Sequence, residues 1–243
     1  MSTVLLRSAI AIALAMAPAS ASLVTLTYGQ FAGAAASGII LSIQGNPTES
    51  GCVSFGGVTG SVLTAGVCTG SSADVLTGSG ETQTRTLAQA GVTSAANFGL
   101  LLNAVEPSGD SIIVNDLIVS FYNPTGTLLY QTAGLNCQNS QGGPIVSGPC
   151  TLATTGVVIL PTGYLAVLDA AQQTAATAAG AFSSSLNVVG MSANLGSSAG
   201  VKETFFVVNS ANLSPPAIPE PNTRWAVILG FLMVVATRRT ATR

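Results

Sequence analysis

The chain has 243 residues, of which 7% are charged, 48% are hydrophobic, 27 are glycine and none is histidine. That length fills one ordinary domain or two small ones, and the hydrophobic content rules out disorder driven by charge repulsion. The lack of histidine excludes Ser-His-Asp and Cys-His catalysis and the HExxH zinc site, and seven basic residues are too few for a nucleic-acid footprint.

Residues 1–21 have the three parts of a secretory signal: Arg7 in a short n-region, an apolar run over 8–17, and Ala19 and Ala21 in A-x-A spacing. Cleavage after Ala21 would start the mature chain at Ser22, with cleavage after Ala19 as the second choice. A run this short is a poor bilayer anchor, so a signal peptide is expected.

From residue 23 onward, short apolar runs alternate with turn residues, the pattern of an all-β domain. Strands are expected over 23–28, 39–43, 61–65, 98–103, 112–122, 127–132, 156–160, 164–168, 186–189 and 204–208. Asn123-Pro124-Thr125-Gly126 should make one hairpin turn, because proline presets φ at its first central position. Pro161-Thr162-Gly163 is expected to make another. No fixed-period repeat is present, which disfavours a solenoid. Some ten strands with few charges fit a β-sandwich over 22–217, with a jelly roll as a close variant.

The four cysteines, Cys52, Cys68, Cys137 and Cys150, lie inside this exported segment and carry no CxxC spacing. In an oxidising compartment an even number of cysteines reads as disulfides rather than a zinc site. Three pairings are open; Cys52–Cys68 and Cys137–Cys150 are favoured because each brackets a Gly/Ser-rich loop. No metal or cofactor is expected.

One short helix is expected over 170–179. Asp169 can cap it, Gln172 stands in capping-box position, Gly180 can end it, and alanine dominates its body. Between Ser22 and Ile218 the cations are Arg85 and Lys202. The anions are Glu49, Asp74, Glu81, Glu106, Asp110, Asp116, Asp169 and Glu203, for a net charge of −6. Such a surface has little attraction for anionic lipid or nucleic acid. Asn115-Asp116 could offer oxygens to a hard cation but reads more simply as a strand-end pair, as does Asp110. Thr82, Thr84 and Thr86 would share one face of a strand, too short a row for an array. Asn212-Leu213-Ser214 is a formal glycosylation sequon.

At the far end, Pro219-Glu220-Pro221 is followed by Arg224, an apolar stretch over 225–236 that begins with Trp225, and then Arg238, Arg239 and Arg243. As a helix this stretch rises about 18 Å against a hydrocarbon core of about 30 Å, so snorkelling or thinning must help it span. It has no polar face, unlike a surface helix of a soluble domain. The arginines would stay on the cytoplasmic side, leaving the domain outward.

Joined to the N-terminal signal, residues 218–243 resemble the PEP-CTERM sorting signal of exported proteins in Gram-negative bacteria. The departures are Arg224 and a basic tail diluted by Thr240, Ala241 and Thr242. The resemblance implies an exosortase as partner, beside the secretion machinery and the membrane. That enzyme would cut the tail near Pro-Glu-Pro. It implies a route from an inner-membrane intermediate facing the periplasm to the cell surface or beyond. The expected function is a non-enzymatic envelope or extracellular-matrix protein, contacting extracellular polysaccharide or copies of itself. The alternatives are a carbohydrate-binding or adhesive module and, third, a secreted hydrolase using paired carboxylates.

Overall fold

The computed structural model describes residues 23–30, 38–104, 111–137, 146–147, 149–153 and 162–212. The chain is all-β, built almost wholly from antiparallel strands. Its first half holds β1 (Leu23–Gln30), β2 (Ile39–Ile43), β3 (Thr48–Ser54), β4 (Val58–Gly60), β5 (Val62–Thr64), β6 (Val67–Thr69), β7 (Arg85–Thr86), helix α1 (Leu87–Ala90) and β8 (Phe98–Asn103). There follow β9 (Ser111–Tyr122), β10 (Leu128–Gln131), β11 (Leu135–Cys137), β12 (Val146–Ser147), β13 (Cys150–Ala153) and β14 (Thr162–Val167). Helix α2 (Ala170–Ala178), β15 (Val188–Gly196) and β16 (Glu203–Asn209) complete the described order.

One sheet runs β12-β11-β1-β14-β8-β16-β2. A second runs β10-β9-β15-β3-β4, with β13 also on β9 and β7 also on β15. Strand β9 is long enough for β13 to pair with its first residues and β10 with its last, while β15 covers its other edge. Strands β5 and β6 form a separate two-stranded ribbon.

Alternation explains how the core is filled, because successive strand side chains point to opposite faces. Leu100, Leu102, Phe205 and Val207 of the first sheet share one continuous apolar cluster with Val119, Phe121, Met191 and Leu195 of the second. Within it, Phe121 lies 5.0 Å from both Phe98 and Phe182, ring centre to ring centre. The intervening residues Leu101, Leu165, Phe206 and Val208 form a second buried cluster on the other face of the first sheet. Strands β8 and β16 are therefore buried on both faces. This is why they read as unbroken apolar runs rather than alternating ones.

The expected strands over 39–43 and 98–103 match β2 and β8, and those over 112–122, 127–132 and 204–208 match β9, β10 and β16 within a residue at each end. The run over 186–189 begins at Val188 and extends to Gly196. Residues 156–160 lie outside the described residues. Two expectations are corrected. The strand over 61–65 is instead β5 turning through Ala65 and Gly66 into β6. Thr162 and Gly163 belong to β14 rather than to a turn, because they pair with Gln30 and Gly29.

The expected hairpin at Asn123 forms. Gly126 N–H donates to the Asn123 carbonyl at 3.0 Å, and the Asn123 side chain accepts from the N–H groups of Thr125 and Thr127. Helix α2 also forms as expected. The Asp169 side chain accepts from Gln172 N–H at 2.8 Å, and Gln172 returns the bond by accepting from Asp169 N–H at 3.1 Å. Gly180 takes φ 78° just beyond its end, a conformation glycine adopts at little cost. Asn187 then donates to the carbonyls of Gly180 and Ala181 at 3.0 Å each. That ties the helix exit to the start of β15.

Phe121→Ala should cost about 3–5 kcal/mol of unfolding free energy, since it removes the ring shared by Phe98, Phe182 and Tyr130. Urea unfolding followed by circular dichroism measures this; a cost under about 1 kcal/mol would place the ring outside the core packing.

Candidate functional site

The β5–β6 ribbon begins with its turn. Ala65 and Gly66 have φ 47° and 76°, the two positive values of a type I′ turn, whose twist suits a two-residue hairpin. Glycine fits at the second position; alanine at the first carries the strain of a left-handed residue with a Cβ. The Tyr122 hydroxyl donates to the Gly66 carbonyl and holds the turn down.

Alternation then sorts the ribbon's side chains. Leu63 and Cys68 pair across the ribbon and point inward, where they bury with Cys52 and Ile118. Cys52 of β3 and Cys68 of β6 form a disulfide across 5.9 Å between Cα atoms, as expected from the sequence. Closing a loop of this size contributes on the order of 3 kcal/mol by restricting the unfolded chain. Ser54 adds a polar tie, accepting from Cys68 N–H at 3.2 Å. Cys150 is also disulfide-bonded; the side chain of Cys137, its expected partner, lies outside the described residues.

The outward side of this region is uncharged and carries exposed valines. Val58, Val62 and Val67 are 51%, 54% and 55% exposed, next to the exposed Thr64 and Thr69. Spacing alone did not reveal this surface. The signal was present in the sequence as Val-Leu-Thr-Ala-Gly-Val-Cys-Thr, two three-residue strands about a turn pair.

A polar patch occupies the second sheet. Asn115 Nδ2 donates to Asn194 Oδ1 at 2.9 Å, with both side chains exposed. Beside them Asp116 is half-buried and its Oδ1 accepts from Leu117 N–H at 2.9 Å. Burial pushes the Asp116 carboxyl above its ordinary pKa, against the opposing pull of that N–H. Across the sheet, Ser50 N–H donates to Asp74 Oδ2 at 2.9 Å, and Ser72 Oγ donates to the Ser50 carbonyl at 2.6 Å. Asp74 is occupied in tying down β3, but Asn115 and Asp116 are not the strand-end pair expected: they lie inside β9, where its register with β15 shifts between Asn194 and Leu195. Asp110 lies outside the described residues, and among those described no group of three or more Cys, Asp or Glu is placed to hold a metal ion.

The threonines over 82–86 do not form a row. Thr82 Oγ1 accepts from Ser42 N–H at 3.0 Å, and Thr86 Oγ1 caps α1 by accepting from Gln89 N–H at 3.2 Å. Only Arg85 and Thr86 are in strand. Between them Arg85 Nε donates to the Ile39 carbonyl at 2.8 Å. Its guanidinium lies where a Cβ on Gly38 would have to sit, and burial lowers its pKa. Lys202 pairs with Glu81 at 3.1 Å. Glu81 is held below its ordinary pKa chiefly by the neighbouring Ser42 hydroxyl, opposed by burial and aided by Lys202.

Two cavities are lined by described residues. One of about 20 Å³ lies between Leu100, Leu102, Ala166 and Phe205 of the first sheet and Val114, Leu117 and Leu152 of the second. It is of the order of one water molecule in size and offers an apolar lining, so it is dry packing space rather than a ligand site. The other is a shallow cleft of about 640 Å³ between α2 and residues 94–96. Three of its polar groups are bonded within the fold: Gln173 Nε2 donates to Leu168 O, and the Thr174 and Thr177 hydroxyls donate to the Ala170 and Gln173 carbonyls.

The cleavage residues Ala19 and Ala21, the motif Pro219, Glu220 and Pro221, and the boundary residues Trp225, Arg238, Arg239 and Arg243 lie outside the described residues. Among the described residues no helix is long and apolar enough to cross a membrane. No protein-family model matches the chain, and neither a curated protein nor a solved structure matches it.

Asp116 gives a pH test. Its folded-state pKa is raised, so the folded state binds the proton more tightly than the unfolded chain. Stability contributed by this group is therefore present at low pH and falls as pH rises from the ordinary aspartate value through the folded one. Asp116→Asn should flatten that fall and raise the unfolding midpoint above it. Thermal melts between pH 3 and 8, on the order of the carboxylate range, measure this; a lowered midpoint at neutral pH would reverse the assignment.

Proposed function

We propose that this chain is a non-enzymatic exported protein of the cell envelope or extracellular matrix. In this reading the two sheets pack face to face as a β-sandwich, and the C-terminal segment parks the domain outward at the membrane until an exosortase removes that segment. The observation that carries the reading is the fixed order at the end of the sequence: Pro219-Glu220-Pro221, an apolar stretch over 225–236, and Arg238, Arg239 and Arg243. The positive-inside bias acting on those arginines gives the outward orientation.

Two structural features support it. The Cys52–Cys68 disulfide belongs to an oxidising compartment, which matches export. In the shallow cleft Gln173 Nε2 and the Thr174 and Thr177 hydroxyls donate within the fold, whereas an active site presents converging polar groups to a substrate. A sugar-binding module would favour an exposed aromatic platform. Among the described residues Tyr122 is buried, Phe121 is at the centre of the core, Tyr130 packs against that core, and Phe55 is only partly exposed. The matrix-protein reading is therefore preferred to the carbohydrate-binding one.

Intact mass of the exported protein should begin at Ser22 and lack everything after the Pro-Glu-Pro region. A species retaining both end segments in every cell fraction would defeat the reading. Replacing Arg238 and Arg239 by glutamate should disturb membrane orientation, measured by protease accessibility of the domain in spheroplasts, because the positive-inside bias is lost. Unchanged orientation would remove the role given to the arginines.

A further inference from the structure

We propose that the outward face of the β5–β6 ribbon is a contact surface for a second copy of this chain. The register places Val62 opposite Thr69 and Thr64 opposite Val67. All four side chains are exposed, and Val58 of β4 adds a further exposed valine from the same segment. The disulfide and the buried Leu63 fix this face from below, so presenting it to a partner needs little further ordering.

Charge narrows the choice of partner. Natural proteins blunt exposed strands with lysine, other charges or proline, yet residues 50–73 contain no charged residue and no proline. Two copies of a domain with net charge −6 repel one another except where an approach brings no charges together. The ribbon is such a place. A cationic or anionic partner would find nothing there to pair with, and a lipid surface would call for basic or tryptophan flanks that this segment lacks.

The pattern is also self-complementary. The two valines stand on one diagonal of the ribbon face and the two threonines on the other. A two-fold axis along the valine diagonal sets valine on valine and threonine hydroxyl on threonine hydroxyl, an isologous contact. The face is far smaller than a standard interface, so association should be weak, with dissociation constants of about 0.1–1 mM. It would form with or without the C-terminal tail. Its chemistry differs from a charged interface in one measurable way: added salt screens the net repulsion and should strengthen it.

Sedimentation equilibrium of the full chain in density-matched detergent tests this. From about 10 µM to about 1 mM the average mass should rise toward twice the single-chain value, and further at higher salt. The double variant Val62→Lys, Val67→Lys should stay at the single-chain mass, with the Cys52–Cys68 peptide intact as the check of folding. Leu186→Lys, which charges another exposed apolar residue, should associate like the unaltered chain. On the unaltered chain, methyl NMR shifts of Val62 and Val67 should move with concentration while those of Leu186 stay fixed. A single-chain mass throughout, association surviving in the double variant, or valine methyl shifts independent of concentration would overturn the proposal.

Discussion

The contact on which the rest depends is the meeting of Phe98, Phe121 and Phe182. Phe98 comes from the first sheet and Phe121 from the second, while Phe182 follows helix α2. Ring centres 5.0 to 6.2 Å apart and tilted faces match the arrangement in which the positive edge of one ring meets the negative face of another. Around them the aliphatic residues of both sheets close into one cluster. Stability comes mainly from this burial. Ion pairs such as Lys202–Glu81, which lies partly exposed, add little.

Legibility of the fold followed burial. Strands β2, β8, β9 and β16 were readable because apolar and β-branched residues crowd them, and helix α2 was readable because its capping box is local to Asp169 and Gln172. Strand β3 was missed. Its sequence Thr-Glu-Ser-Gly-Cys-Val-Ser has little strand propensity of its own, and it is held by pairing with β15 and β4 on its two edges. Gly51 illustrates the reason. A Cβ there would collide with Val75 and Ile43, so a residue that weakens a strand locally is demanded by tertiary packing.

The site was legible in part for a similar reason. Even cysteine number and spacing pointed to Cys52–Cys68, since a disulfide's partners can be guessed when the loop between them is short. What the bridge does, pinning a ribbon flat with its valines outward, depends on the turn at Ala65 and on the Tyr122 hydroxyl, which comes from a strand remote in sequence. No local pattern encodes that contact. The threonines over 82–86 erred in the opposite direction: a tidy alternation suggested a row, but Thr82 and Thr86 are consumed by backbone donors of neighbouring elements.

Charge scarcity links these features. Asp169 caps α2, Asp74 ties down Ser50, Glu49 accepts from Gly45 N–H, Glu81 pairs with Lys202, and Arg85 spans to the Ile39 carbonyl. Most of the few charged groups thus hold backbone or turns in place and contribute little to keeping the surface apart from its neighbours. Repulsion between copies then rests on a modest net charge, which salt at physiological strength screens beyond about 8 Å. A surface built this way stays dispersed only where solvated hydroxyls and amides cover it. Where β-branched methyls replace them, as on the stapled ribbon, nothing electrostatic opposes contact, and the disulfide fixes that face in the geometry that favours it.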